Sequence, residues 1–419
     1  MVRRGGWRRK IVAAVVLILI ILFTIDYQLS ETLDDSLVAL EPFSTDENEK
    51  IVVGRKIFKP LENGQNVKFV QIAAKIYAST SFLDERNGNM GYPFVRVLMV
   101  MRNSEDFKCK FGEKESPVTS VYELSENHNM HMRTYILNCK IPASVEIDSL
   151  ETFQIKLTKD EKYTDLNITY RVPDEKKISQ HQISLSICVP ALFGSVYKPR
   201  RIVEFAELNA LQGVQRVYIY GRKSIFEDFL NTTLQFYVEN NFFELVEIEL
   251  PFGDSEIWYH GQLISITDCL LRNIGVSEFT SFNDIDEFFI PMVNKTLIET
   301  IRDLFSENTA SLRVVAQYMS LVNGSELLTL NSTVTSERIV EKRLTKCILR
   351  PEMVFEQGIH HTSRVIQDNY TSPTHDGSEV RLFHYREGRV CCRKDDTVPR
   401  LYGNELTHQF RFVKKLLNL

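Results

Sequence analysis

The sequence predicts an α/β protein whose main body, residues 179–419, is a mostly parallel sheet with crossover helices. A β-rich module over 51–178 and an N-terminal membrane anchor precede it. Three observations carry this expectation. From Leu185 onward, short apolar runs alternate with segments of helical spacing, the pattern of strands joined by crossover helices. Before Ile178 the runs are β-branched and aromatic, parted by turn signals such as Asn87-Gly88-Asn89, with no long helical period. At the start, Arg3, Arg4, Arg8, Arg9 and Lys10 precede the apolar run Ile11–Ile25, in which only Thr24 is polar.

Residues 1–10 therefore read as a cytosolic tail and 11–25 as an uncleaved signal-anchor. A removable signal would end in a small-residue cleavage site, and Thr24-Ile25-Asp26-Tyr27 is a poor one; a cleaved signal is the alternative. The run is short for a span, which suits the thinner membranes of the early secretory pathway. A positive N-terminus stays cytosolic, so the chain beyond Asp26 is expected in the lumen. Residues 26–50 form an acidic stem, with no base before Lys50. Sequons at Asn167, Asn231, Asn294, Asn323, Asn331 and Asn369 fit a luminal body.

With 419 residues the chain has room for two or three domains. A net charge of −5 gives no reason to expect a nucleic-acid partner. The seven cysteines contain no CxxC pair, which argues against a thiolate zinc site. Cys109 and Cys139 are expected to bridge, Cys188 and Cys269 read as buried free thiols, and Cys391-Cys392 should bond outward. The odd count leaves open a disulfide-linked homo-oligomer, and a non-covalent one is left open too.

Taken in order, Val67–Ala78, Phe94–Met101, Tyr135–Lys140, Thr152–Leu157 and Leu166–Val172 are strand-like and predict a small sandwich-like module. Tyr77, Asp84 and Arg86 read there as surface or turn residues. Leu185–Val189 is a short strand ending at Pro190. Pro199–Gln212 has helical spacing, and Gly213 is its stop. Val214–Tyr220, Leu245–Leu250 and Phe279–Phe282 are strands; Ile225–Glu239 and Gln262–Arg272 are helices. Neither GxGxxG nor GxxxxGK[ST] occurs, which argues against a dehydrogenase or a P-loop NTPase. Beyond Pro291, Leu297–Phe305 reads as helix and Leu312–Tyr318 as strand. Gly324–Glu337, polar and overlapping two sequons, reads as an exposed insertion. Cys347–Phe355 and Val380–Tyr385 are strand-like, and Leu406–Leu419 is a terminal helix.

The chemistry centres on Phe279–Pro291, where apolar runs flank an acid cluster. Along a strand, Asp284 and Asp286 would share one side, beyond the carboxyl end of a sheet strand, where ligands of open α/β sheets bind. Two carboxylates there suit Mg²⁺ or Mn²⁺. The ordinary reading of such a pair is a solvated turn. His360, His361 and His384 are candidates for a further ligand, although a lone histidine is more often structural. Arg386 can hold a phosphate bidentately; Lys346, Arg350 and Arg364 read as surface charges. A metal on a diphosphate would neutralise a leaving group, and a carboxylate would take the proton of an incoming hydroxyl. Sugar transfer from a nucleotide diphosphate fits this set.

The block Phe282-Asn283-Asp284-Ile285-Asp286-Glu287-Phe288 resembles the DxD block of glycosyltransferase family 92. The likeness extends to Ser186–Gly194, to Val203–Val214 with Val217–Tyr220, to Gly261-Gln262 with Asp268–Asn273, to His384-Tyr385-Arg386, and to Tyr77-Ala78 with Asp84 and Arg86. It covers roughly residues 70–390. The resemblance implies a GT-A-like fold, a type II Golgi membrane protein, Mn²⁺ dependence and an inverting galactosyl transfer from UDP-galactose to fucose of N-glycan cores. Carried over, Asp284 faces the nucleotide ribose, Asp286 binds the metal with Asp284 beside it, and His384 is the late ligand. Pro190, Ala191, Leu192 and Phe193 cradle the uridine, and Arg386 belongs to the donor site. Glu287 and Glu356 are the candidate catalytic bases. The alternative function is a catalytically inactive luminal glycan-binding or scaffold protein. A two-metal phosphohydrolase would need more carboxylates and histidines than this set offers.

Overall fold

The two compositional halves fold into two sheet systems. The computed structural model describes residues 66–86, 93–193, 198–227, 231–322, 324–336, 340, 344–386 and 393–419. The expected tail, signal-anchor and stem lie outside the described residues, as do the Asn87-Gly88-Asn89 turn and Cys391-Cys392. Among the described residues no helix is long and apolar enough to cross a membrane.

In the first half, the strands Val70–Ala73, Ile76–Asp84, Phe94–Met101, Arg133–Lys140 and Thr119–Glu123 lie side by side, and Tyr170–Val172 joins Ile76–Asp84 in parallel. The expected single strand Val67–Ala78 is a hairpin instead, turned at Lys75, whose φ is 58°. A second, antiparallel sheet contains Lys114–Glu115, Phe107–Phe111, Thr152–Leu157 and Thr164–Asn167. The two share a core of Val95, Val97, Met99, Phe111, Leu137, Phe153 and Ile155, and the expected Cys109–Cys139 bridge joins them. Asp84 and Arg86 are not surface residues. Asp84 is buried between Arg86 (2.9 Å) and Arg96 (2.5 Å), and Arg86 Nη1 donates to the carbonyls of Glu352 and Val354 in the second half. Tyr77 packs on Phe252.

The second half begins with β1 (Ile183–Leu192), α1 (Pro199–Leu211), β2 (Arg216–Gly221), α2 (Asn231–Glu239), β3 (Phe243–Glu247), α3 (Gln262–Asn273) and β4 (Ser277–Phe282). The sheet order is β3-β2-β1-β4, with every pair parallel, as crossover helices require. Pro199 opens α1, where its missing N–H costs nothing. Gly213 ends the turn after it at φ 100°, and a Cβ there would lie 2.7 Å from Ile298, so the stop is fixed by conformation and by space. The expected helix Ile225–Glu239 is two pieces, Lys223–Glu227 and α2.

The chain continues through β5 (Glu287–Pro291), α4 (Leu297–Leu304), β6 (Ser311–Val314), β7 (Ala316–Met319), β8 (Lys346–Leu349), β9 (Val354–Gln357), β10 (Val380–Tyr385) and α5 (Thr397–Leu417). β8 extends the parallel strands antiparallel to β4, and β6 follows it, so the whole sheet is mixed. β5, β10 and β7 form a second layer. Residues 324–336 are not simply an exposed insertion: Leu327, Leu328, Thr329, Ser332 and Thr335 are buried. Thr329 donates to Glu204 of α1 through both its N–H and its hydroxyl. The terminal helix starts at Thr397, about two and a half turns before Leu406.

Helix α3 is buried on every side. Its apolar residues Ile264, Ile266, Leu270 and Leu271 share one core with Phe82, Leu98, Val100 and Ile136 of the first half. Its polar residues pair inside: Tyr220 Oη donates to Asp268 (2.5 Å), and Arg272 Nε donates to the same carboxylate (2.8 Å). Cys188 and Cys269 are not free thiols. They form a disulfide that fastens β1 to α3, and the free cysteine among the described residues is the buried Cys347.

Candidate active site

The acid cluster closes the chain between β4 and β5, at the carboxyl ends of the parallel strands. Asp284 and Asp286 do not continue a strand. They occupy a turn that the sequence ties to itself. Buried Asn283 donates from Nδ2 to the Glu287 carbonyl (2.9 Å) and from its N–H to Cys188 O (3.3 Å). The N–H of Asp284 donates to Glu287 Oε2 (3.0 Å), and the N–H of Glu287 returns to Asp284 O (3.0 Å). Both aspartates face the same cavity, through the turn rather than through strand alternation.

Two other elements deliver the partners. β5 pairs with β10 so that Glu287 lies directly opposite His384, and cross-strand neighbours share a face. His384 Nδ1 is 3.4 Å from Glu287 Oε1, and its Nε2 is 3.4 Å from Asp286 Oδ2. β8 runs antiparallel to β4 with Ser281 opposite Ile348; continuing that register brings Lys346 level with Asn283. Its ammonium lies 3.2 Å from Asp284 Oδ2 and 3.3 Å from Glu287 Oε2. Lys346 is thus a buried, doubly paired cation rather than a surface charge.

The electrostatics follow from burial. Desolvation pushes the Glu287 carboxyl up to about 7; Asp284 and Asp286 add to this, against Lys346 and His384. Burial works against the Lys346 ammonium, but Asp284 and Glu287 outweigh it and hold its pKa above the ordinary lysine value. Burial likewise opposes the His384 imidazolium, and the hydrogen bond to Asp286 with the surrounding carboxylates reverses that, so its pKa is raised. Glu287 spends both oxygens on its neighbours, a positioning arrangement.

These groups line a cavity of about 430 Å³. Pro190, Ala191 and Phe193 form part of its wall, and Arg386, exposed, another. Leu192 is turned away and lines a smaller adjoining cavity with Arg222 and Ile248. His360 is in the wall, its pKa lowered by burial and by Lys346. His361 is not in the wall; it pairs with Glu126 (3.5 Å). Glu356 is not in the wall either. Its carboxylate accepts from Tyr122 Oη (2.6 Å), Ser125 N (2.7 Å) and Ser125 Oγ (3.0 Å), which makes it a tie between the two halves. Arg350 stacks on Phe279 and Phe305, and Arg364 lies exposed over Tyr122.

Asp286 and His384 fit a divalent cation. Two ligands bound at about 2.1 Å and at right angles to one octahedral ion stand roughly 3.0 Å apart, close to the 3.4 Å between Asp286 Oδ2 and His384 Nε2. Carboxylate with imidazole is a donor set that Mn²⁺ accepts, and binding would compete with the proton on His384. His375, Asp376 and Glu379 also cluster. There, however, His375 Nε2 is 2.8 Å from Glu379 Oε2, and its Nδ1 accepts from Gly377 N, so both ring nitrogens are used.

Residues 183–412 match the model of glycosyltransferase family 92. The chain is also 42% identical over 364 residues to the β-1,4-galactosyltransferase galt-1 of Caenorhabditis elegans, covering 86% of this chain and 85% of the relative. The chain belongs to glycosyltransferase family 92. This glycosyltransferase has cavity residues whose place in the site the sequence reading did not give. Lys346 opens an apolar strand, Lys346-Cys347-Ile348-Leu349, and a lone charge at that position was the available signal. His128, Trp258, Tyr259 and Gln262 also line the cavity. Trp258 is one of two tryptophans in the chain and begins a Trp-Tyr-His-Gly run just before a helix, a cue of the same kind.

Proposed function

We propose that this glycosyltransferase is GT-A-like, inverting and dependent on a divalent cation, and that it moves galactose from UDP-galactose to a fucosylated N-glycan core. One observation carries the reading. Asp284, Asp286, Glu287, Lys346 and His384 meet in one cavity at the carboxyl ends of β1 and β4, in a chain that resembles a β-1,4-galactosyltransferase along most of its length.

The residues divide the work. Pro190, Ala191 and Phe193 flank the nucleoside, and Asp284 faces its ribose. Arg386 binds phosphate oxygens. Asp286 and His384 are the residues that would hold Mn²⁺, whose charge, when bound, is what a departing diphosphate requires. Lys346 and Glu287 fix the turn that aims both aspartates. In an inverting transfer the acceptor hydroxyl forms a bond to the anomeric carbon as the bond to UDP breaks on the opposite face, and the hydroxyl proton passes to a carboxylate.

The same reading places the body in the Golgi lumen behind the 11–25 anchor. The disulfides Cys109–Cys139 and Cys188–Cys269 suit an oxidising compartment, as do the exposed sequon residues Asn167, Asn294, Asn331 and Asn369.

The test is nucleoside diphosphate release by the full-length chain in detergent micelles, UDP from a panel of UDP-sugars and GDP from GDP-sugars, with Mn²⁺ or with EDTA. Release is expected from UDP-galactose only, dependent on the acceptor and abolished by EDTA. Asp286→Ala should abolish it and leave the melting temperature unchanged, because that side chain is 45% exposed. His384→Ala should weaken the Mn²⁺ response. Equal turnover in EDTA, or an active Asp286→Ala, would overturn the metal assignment. No release together with no Mn²⁺-dependent UDP binding would favour the binding-protein alternative, whereas UDP binding without turnover would send the search to another acceptor.

A further inference from the structure

Two loops from different sheets meet at the cavity, and both carry aromatic rings on left-handed backbone. His128 and Asn129 have φ of 49° and 56°; Tyr259 and His260 have φ of 42° and 56°. For bulky residues this conformation is rare, and it persists only where the surroundings impose it, often at functional sites.

The surroundings do impose it. Buried Asn127 donates to the carbonyls of Leu124 (2.9 Å) and Thr134 (3.1 Å) and accepts from Thr134 N (2.8 Å). Asp254 accepts from His260 Nδ1 (2.8 Å) and pairs with Arg222. The N–H of Met132 donates to Glu256 O (2.8 Å) and joins the loops. The result is a strip of rings. His128 lies 4.1 Å from Trp258, Trp258 5.4 Å from Tyr259, and Tyr259 stands edge-on to Phe193 at 5.3 Å. Tyr259 is 53% exposed, although it lines the cavity.

We propose that His128, Trp258 and Tyr259 form the acceptor platform, on which pyranose rings of the glycan lie with their C–H faces on the aromatic rings. The inference rests on the transferase reading above. The Phe193 end of the strip adjoins Pro190 and Ala191 and the smaller cavity, which is the donor side. At the His128–Trp258 end, His128 comes from a loop of the first sheet, between Thr119–Glu123 and Arg133–Lys140, off the parallel strands. A pyranose is apolar on one face and wet at its edges, which suits rings that are half in solvent. A strip several rings long suits an oligosaccharide better than a single base.

Tyr259→Gly keeps the left-handed backbone and removes the ring; Tyr259→Phe keeps the ring. Using the full-length chain in micelles with a core-fucosylated N-glycan, the acceptor KM of Tyr259→Gly should rise by about tenfold or more, and the donor KM by less than about threefold. Tyr259→Phe should stay within about twofold of the parent. An unchanged acceptor KM in Tyr259→Gly, or an equal rise in donor KM, overturns the platform, since in the second case the ring serves the nucleotide. Saturation-transfer NMR of the same glycan without donor reads binding independently of turnover. If the parent turns over no UDP-galactose, the transferase reading fails by itself. The platform then stands if glycan signals seen with the parent vanish in Tyr259→Gly, and falls if the parent gives none.

Discussion

Replacing Lys346 by Met separates charge from shape. Met keeps an unbranched apolar stem and removes the ammonium that touches Asp284 and Glu287. The Asp284 side chain is 37% exposed, so water replaces most of what it loses, and its share is under about 1 kcal/mol. The Glu287 side chain is 2% exposed, and stranding a buried charge costs about 3–5 kcal/mol. Protonation caps that cost. Glu287 already holds its proton up to about 7, chiefly through burial, and without Lys346 it would hold it higher still. At neutral pH Glu287 is already close to half protonated, so its share is limited to a few tenths of a kcal/mol and the whole loss should be about 1 kcal/mol, growing by about 1.4 kcal/mol for each pH unit above 7. With roughly 2.1 cal/mol/K of unfolding entropy per residue, this lowers the melting temperature by only about 1 °C at neutral pH.

The pH dependence carries the signature. In the parent, folded Glu287 keeps its proton above its ordinary value of 4.5 and up to about 7. The native state thus binds more protons than the unfolded chain across that window, and stability falls as pH rises through it. In Lys346→Met the upper edge moves beyond 7, so the fall continues. Melting curves of the metal-free protein at about pH 6 and about pH 8.5 should show a larger loss at the higher pH. UDP release should drop by about a hundredfold, the scale seen when active-site geometry slips by about 1 Å. A loss equal at both pH values, or full activity, would refute the clamp.

Asp84→Asn should cost about 3–5 kcal/mol by leaving Arg86 and Arg96 buried without a counter-charge. Although burial alone would raise it, the two arginines hold Asp84 well below its ordinary 3.8. Its contribution is therefore present above that value and lost as pH falls further, and melting temperature against pH should show a flatter acid limb in the variant. Replacing Cys188 and Cys269 together with Ala opens a bridge between residues 81 apart and should cost about 4 kcal/mol, measured by urea titration. UDP release should fall with it, because Cys188 O holds Asn283 in the acid turn; unaltered activity would show that the turn stands without the staple.

The order of elements from Leu185 to Phe282 was legible because each has its own period and stop. Helix α1 has its apolar spacing, its Pro199 and its Gly213. The acid block was legible for its composition, but its geometry was not: Asn283 and Glu287 bend it into a turn through side-chain hydrogen bonds that no periodicity encodes. His384 reaches Glu287 only through the pairing of β5 with β10, and Lys346 reaches Asp284 only through β8 against β4. Those registers are long-range facts. The same holds for Cys188 and Cys269, whose pairing depends on where α3 lies over β1. Asp84 and Arg86 misled because local polarity says nothing about a neutralised cluster in the interior.

That cluster also bears on what the β-rich half does for the transferase. Arg86 binds the carbonyls of Glu352 and Val354, Glu356 takes three donors from Tyr122 and Ser125, and Glu126 accepts from the N–H of Ile359. All three ties fall on residues 352–359, the segment that carries Ile359 and His360 into the cavity wall. The matched family region begins only at residue 183. The 364 residues shared with the galactosyltransferase relative exceed the length of chain beyond that point, so the likeness reaches into the first sheet. A chain cut at 183 would keep both aspartates, Lys346 and His384. It would lose His128 and every one of these anchors, and with them the support of the segment that brings Ile359 and His360 to the cavity.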